Sequence, residues 1–421
     1  MKRVIIAGLI VLVIAVAAFL LWRSQQTAPM ATEITALQSS QGAEGFARVT
    51  VSREMIFPQD HGPHPDFQTE WWYYTGNLEA QGGRRFGYQL TFFRRGITPG
   101  GAGEHTGSPQ HTGSAGEHTG SPQHTGSPQH TGSPQPKTRG SDWATNQIYF
   151  AHFALTDEKN NTHNETEIFS RGAAGLAGAS GDPFRVWTEN WSAEGLNPDA
   201  SNVRLRADDG KMALDLNLNA AKPPVVHGEN GVSQKSEAAG NASYYVSMTR
   251  MPTQGTLRIN GESISVTGAS WFDHEWGTTA LGANAAGWDW FSIQLDDHRE
   301  LMFFQIRNQD GSIEPLSSGT LIEADGTTNH LKRDDVKITP QEFWTSSFSQ
   351  GRYPSQWRVE IPSENLDLTL TPLIADQEMR VSFTYWEGAV NVSGTSNGKP
   401  VRGQGYVEMT GYGNVRGDVG Y

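Results

Sequence analysis

Asp273, His274 and Glu275 stand in immediate succession within Ser270-Trp271-Phe272-Asp273-His274-Glu275-Trp276-Gly277, and another acid, Glu70, directly precedes Trp71-Trp72-Tyr73-Tyr74. Residues of these types suit proton transfer. An imidazole can give a proton to an alkene or take one from water, the two transfers that hydration of a double bond requires. A carboxyl among apolar side chains keeps its proton to higher pH, because burial penalises the charged form, and can serve as the acid instead. Alternate side chains of a strand point to opposite faces, so Asp273 and Glu275 share one face and His274 takes the other. The three cannot line one cavity. Either His274 faces inward or the two carboxylates do, and a third reading makes the cluster a polar tie between two halves of the molecule, satisfied by arginine and backbone partners. Glu70, an isolated carboxylate beside two tryptophans, needs a partner or a task. Asp273, His274 and Glu70 are the expected catalytic groups.

More ionisable residues lie upstream, in Phe57-Pro58-Gln59-Asp60-His61-Gly62-Pro63-His64-Pro65-Asp66. Asp60, His61, His64 and Asp66 have a spacing that could ligate a metal, with His274 as a further ligand if the fold brought it near. The prolines at 58, 63 and 65 argue instead for a rigid, irregular segment plugging a barrel end, whose polar groups bond to backbone. No metal and no cofactor is assigned. Trp71, Trp72, Tyr73, Trp276, Trp288 and Trp290 are expected to line a cavity for a large apolar ligand, with core packing as the alternative. A third aromatic and acidic cluster, Tyr385 to Val390 with Gly405 to Tyr412, is given no role. No nucleophilic serine in a Gly-x-Ser-x-Gly setting is expected, so hydrolysis has no visible chemistry behind it.

The elements that must hold these groups read as strands. From Val49 onward apolar and polar residues alternate with period two, as in Leu214-Asp215-Leu216-Asn217-Leu218 and Leu366-Asp367-Leu368-Thr369-Leu370. Asp209-Gly210, Asn260-Gly261, Asp310-Gly311, Asp325-Gly326 and Asn397-Gly398 supply hairpin turns between them. A meander of hairpins closes into barrels, which removes exposed edges. The chain also repeats itself: Trp71 to Arg94 is echoed by Trp288 to Arg307, the strand at 214 by that at 366, and Gly268 to Asp273 by Gly403 to Glu408. With 421 residues there is room for two cores. The expected division is a first domain over residues 49–285 and a second over 286–421. Within the first, His-Thr-Gly-Ser recurs at 105, 111, 118, 124 and 130. This insert, residues 99–140, is too rich in Gly and Pro to hold a ladder and is expected to be disordered.

Val4 to Trp22 is an unbroken uncharged, mostly aliphatic run, about 28 Å long as a helix against a hydrocarbon core of roughly 30 Å. Lys2 and Arg3 before it place the N-terminus in the cytoplasm and the rest outside. Residues 1–23 are therefore expected to be an inner-membrane anchor, with cleavage as a signal peptide and secretion the alternative, and residues 24–48 a tether to domains in the periplasm. The formal charge of −13 offers no basic face for nucleic acid. There is no cysteine, hence no disulfide and no thiolate metal site.

Asp60-His61-Gly62-x-His64-Pro65, Thr69-Glu70-Trp71-Trp72-Tyr73 and Asp273-His274-Glu275-Trp276-Gly277 together resemble the AttH/carotenoid 1,2-hydratase (CrtC-like) family of lipocalin-like proteins, over roughly residues 50 to 415 apart from the insert. The resemblance implies an all-β molecule of two lipocalin-like antiparallel barrels in tandem after the N-terminal helix. The wider group includes hydratases and pericyclases, and AttH-type members are often encoded beside ABC-transporter components. In the hydratases a tyrosine and an aspartate on the strand after the His-x-Trp motif contribute to the reaction, whereas here Leu301 to Arg307 carries no acid. The expectation is thus a membrane-tethered periplasmic carrier of a hydrophobic, lipid-like molecule, partnered by ABC-transporter components. The alternative is a hydratase, isomerase or cyclase acting by proton transfer on a polyunsaturated lipid or terpenoid.

Overall fold

The computed structural model describes residues 43–99, 143–278 and 281–413. The anchor over 1–23, nearly all of the tether, and residues 100–140 of the insert lie outside them. Among the described residues the chain is nearly all strand, with three short 3-10 turns.

Thirteen strands form a first sheet: β1 (Thr69–Ala80), β2 (Arg85–Gly96), β3 (Gln147–Asp157), β4 (Thr162–Arg171), β5 (Ala177–Gly181), β6 (Phe184–Thr188), β7 (Trp191–Gly195), β8 (Asn202–Asp208), β9 (Met212–Asn219), β10 (Val225–Val226), β11 (Val232–Gln234), β12 (Ala242–Ile259) and β13 (Glu262–Gly277). Ten form a second: β14 (Ala285–Leu295), β15 (Glu300–Asn308), β16 (Ser318–Ile322), β17 (Thr328–Lys332), β18 (Lys337–Thr345), β19 (Arg352–Ile361), β20 (Leu366–Pro372), β21 (Glu378–Arg380), β22 (Thr384–Ser396) and β23 (Lys399–Met409). The strand pairs are antiparallel, and each sheet curls into a near-barrel around its own core.

Alternation does the sorting that the sequence implies. In β9, Leu214, Leu216 and Leu218 are buried while Asp215 and Asn217 between them are half-buried, and β20 repeats the pattern with Leu366, Leu368 and Leu370. The segments that echo each other in sequence hold matching places. In the first sheet the order runs β3-β2-β1-β13-β12-β9, and in the second β16-β15-β14-β23-β22-β20.

The sheets meet along the outer faces of β1 and β13 on one side and of β14, β15, β22 and β23 on the other. Tyr73, Tyr245, Trp271, Trp290, Met302, Phe304 and Tyr406 pack there as a separate apolar cluster. Polar ties cross the seam: Asn77 Nδ2 donates to Gly405 O at 2.9 Å, and Lys222 Nζ reaches Glu300 at 2.7 Å, where Arg250 joins it. Gly87 lets the backbones close, since a Cβ there would stand 2.6 Å from Cβ of Ala389.

Candidate active site between the two sheets

Register decides which side chains can work together. In the β1–β13 ladder Tyr73 lies opposite Asp273 and Trp71 opposite Glu275, whereas Trp72 lies opposite His274 and Glu70 opposite Trp276. Directly opposed residues share a face. The expected site residues therefore fall into two groups on opposite sides of one sheet.

The first group opens on a pocket between the sheets. Trp71, Tyr73, Asp273 and Glu275 line it from β1 and β13, Phe93 from β2, and Trp288, Trp290, Phe304, Tyr385, Glu387 and Glu408 from the second sheet. The walls are aromatic and the polar groups few. Asp273 is held by three donors: the Tyr245 hydroxyl and Trp271 Nε1, each at 2.6 Å, and the Ser247 hydroxyl. Burial nevertheless raises its pKa to about 7, against the pull of those donors. Glu387 and Glu408 face each other across β22 and β23. Burial pushes Glu408 up to about 8, although Trp288 Nε1 donates to it at 2.9 Å. Burial and the neighbouring Glu408 raise Glu387 well above the carboxylate range, and the Tyr73 and Tyr385 hydroxyls only partly offset this. Lys235 Nζ sits 3.0 Å from Glu275 and 3.8 Å from the centre of the Phe304 ring, placing one cation beside the acids.

The second group lies beneath the segment that crosses the first sheet's mouth. His274 Nδ1 stands 3.0 Å from Asp60 O and its Nε2 2.9 Å from Glu70 Oε1, which also meets His64 Nδ1 at 2.8 Å. Arg94 Nε donates to Glu70 Oε2 at 2.7 Å, and the His64 amide donates to the same carboxylate. Against complete burial, Arg94, His274 and His64 hold Glu70 well below the carboxylate range. Burial lowers the pKa of His274. The His64 ring stacks on Trp276 at 3.8 Å, and Trp72 Nε1 donates to His61 O at 2.8 Å. His64, Glu70 and His274 present ligand atoms within 4.8 Å of one another, a spacing that could hold a metal. Yet Glu70 already accepts from the Arg94 guanidinium and the His64 amide, and its Oε1 is flanked by the His64 and His274 rings. This side is a hydrogen-bonded cluster in which Asp60 and His64 bond largely to other side chains, Arg53, Glu70 and each other, rather than to backbone alone as the prolines suggest. Trp72, Trp276, Glu70 and His274 belong to it and do not line the pocket, because the strand alternation turns them the other way.

A family model described as AttH-like matches residues 48–115 and 126–412. The chain belongs to the AttH-like family. A crystal structure assigned to AttH from Nitrosomonas europaea superposes with a TM-score of 0.71 at 33% identity, over 87% of this chain and 100% of that one. Kievitone hydratase of Fusarium solani subsp. phaseoli is 25% identical over 223 residues, 50% of this chain and 60% of that protein's length. The kievitone hydratase structure from Nectria haematococca shares the fold with a TM-score of 0.61 at 15% identity, over 86% of this chain and 95% of that one.

In this AttH-like chain Tyr385, Glu387 and Glu408 come from the third sequence cluster, to which no role was assigned, while Lys235 and Tyr245 were not singled out in the sequence at all. A signal for the two glutamates was present. Val407 and Met409 around Glu408, and Trp386 before Glu387, belong to the second sheet's core, so each acid sits on the other face of a strand with apolar neighbours, where an unpaired carboxylate is costly. Contrary to the expectation of none, the chain contains one Gly-x-Ser-x-Gly stretch, Gly394 to Gly398. It turns β22 into β23 as a hairpin, and Ser396 Oγ accepts from Arg299 at 2.5 Å. A nucleophile elbow requires a strand-to-helix turn.

Proposed function

We propose that the chain is an enzyme of the hydratase type, adding water across a double bond of a hydrophobic substrate held between the two sheets. The observation that carries this reading is the set of three buried carboxyls with raised pKa, Asp273, Glu387 and Glu408, on the walls of one aromatic pocket. The kinship with kievitone hydratase supports it. Two carboxylates side by side in such a place cannot both ionise, so the Glu387–Glu408 pair keeps a proton at neutral pH. That proton goes to one alkene carbon, forming a C–H bond and leaving a cation on the other carbon. The faces of Trp71, Trp288 and Trp290 are suited to stabilise that cation. Water bonds to the cationic carbon, and Asp273, whose pKa of about 7 suits a base at neutral pH, takes the proton that the water loses. Hydrogen and hydroxyl are added, Asp273 ends with the proton that the water lost, and the pair, one proton short, is restored by proton exchange before the next turnover. The carrier expected from the sequence accounts for the aromatic walls and leaves the three acids without a task.

The test is incubation with kievitone and with a panel of terpenoid and polyunsaturated-lipid alkenes in ¹⁸O-labelled water. The expected result is an alcohol carrying the label, lost in Asp273→Asn and Glu408→Gln variants that remain folded at the assay temperature. Recovery of a bound hydrophobic molecule, unchanged and without label uptake from any alkene, would return the carrier reading.

A further inference from the structure

Asp273 is the inner end of a line of hydrogen bonds that leaves the pocket. Ser247 on β12 donates to Asp273 Oδ1, His227 Nε2 stands 2.7 Å from Ser247 Oγ, and His227 Nδ1 stands 2.9 Å from Thr320 Oγ1 on β16 of the other sheet. His227, Ser247 and Thr320 are all buried. The imidazole is fixed from behind, since the His227 amide donates to Tyr245 O at 2.9 Å.

Counting hydrogens gives the line a direction. Trp271 Nε1 can only donate, and it does so to Asp273 Oδ1. Trp290 Nε1 donates to the Tyr245 hydroxyl at 2.8 Å, which sends the proton of Tyr245 to Asp273 Oδ2. An ionised Asp273 likewise accepts from Ser247, whose oxygen then accepts from His227 Nε2–H, and the remaining lone pair on Nδ1 accepts from Thr320. Each hydrogen in the line points toward Asp273. When Asp273 holds the proton, the line can run the other way, from Asp273 to Ser247, Ser247 to Nε2, and Nδ1–H to Thr320. One arrangement becomes the other by moving one proton across each link, with one proton entering or leaving at Thr320. Imidazole alone among side chains offers a nitrogen on each side for this. Burial pulls the pKa of His227 down to about 3, so the ring stays neutral in both arrangements. At the outer end Thr320 lies opposite His330 on β17. His330 is exposed and borders a separate polar cleft with Glu229, Ser318 and Lys332.

We infer that Ser247, His227 and Thr320 form a proton relay that exchanges the Asp273 proton with this outer cleft. The inference rests on Asp273 as a proton-transfer group, and these three are positioning residues that act through it. A fixed His227 could otherwise serve only to join the sheets, so the test must read proton movement without substrate. Full-chain protein with ¹³C-labelled aspartate is mixed with D2O near neutral pH. Deuterium entry is then followed in the carboxyl stretch that disappears in Asp273→Asn. The expected result is exchange slowed at least about tenfold in His227→Phe and in Thr320→Val, with the glutamate carboxyl bands exchanging as in the parent. Thr320→Val is close to isosteric and leaves every contact of Asp273 in place, so it decides the matter if His227→Phe does not fold. Parental exchange at Asp273 in folded Thr320→Val would overturn the relay. Slowed exchange together with no label uptake in the ¹⁸O assay would keep the relay and discard the hydratase.

Discussion

Glu408 illustrates what burial does to one side chain. Its pKa moves from an ordinary 4.5 to about 8, with burial the largest cause. Between those values the folded protein holds a proton that the unfolded chain has released, so stability falls as pH rises. This contribution is fully present below the unfolded value and is lost as pH rises through the folded one. Asp273 acts with the same sign between 3.8 and about 7. Glu70 acts oppositely: its pKa is depressed, and its contribution is lost as pH falls. Glu408→Gln keeps an acceptor for Trp288 Nε1 and removes the titration. Melting curves taken between about pH 5 and pH 8 should show a shallower decline in the variant than in the parent, and a higher melting temperature at the alkaline end. An unchanged decline would mean that Glu408 is ionised in the folded protein.

At the scale of elements, β1 carries two different jobs on its two faces. Trp72 packs inside the first sheet, fully buried, with its ring 4.9 Å from that of His274. Trp71 faces the pocket and is only partly buried. Trp72→Ala should therefore cost about 3–5 kcal/mol of stability in denaturant titrations, as large core truncations do, while Trp71→Ala should leave stability much nearer the parent and weaken ligand retention. Equal losses of stability would show that Trp71 also serves the core. The alternation that separates these two tryptophans is readable in the sequence, as is the split of Asp273 and Glu275 from His274. What could not be read was which distant strand closes the pocket. Glu387 and Glu408 lie more than a hundred residues from Asp273 and reach it through packing of one sheet on another, which no local pattern specifies. The strand that follows β13 is β14, which carries Asp289, and not Leu301 to Arg307 as expected; the latter lies on β15, which supplies Phe304 and Ile306 as wall, while β22 and β23 supply Glu387 and Glu408.

At the scale of the molecule, two near-barrels in one chain create a place that neither provides alone. Each sheet buries its own core inside, and the outer faces of β1, β13, β14, β15, β22 and β23 enclose aromatic walls and ionisable groups between them. Burial in such a seam favours the acid form of a carboxyl. Joining the sheets through Gly87, Asn77 and Glu300 keeps Asp273 on one wall and the Glu387–Glu408 pair on the other. Hydration in this seam requires that the Glu387–Glu408 pair retain a proton at neutral pH. An infrared titration of the full chain tests it without any substrate. A protonated-carboxyl stretch should persist at pH 7 and be diminished in both Glu387→Gln and Glu408→Gln. A spectrum in which no glutamate carboxyl remains protonated at pH 7, or one unaltered by both substitutions, would contradict it.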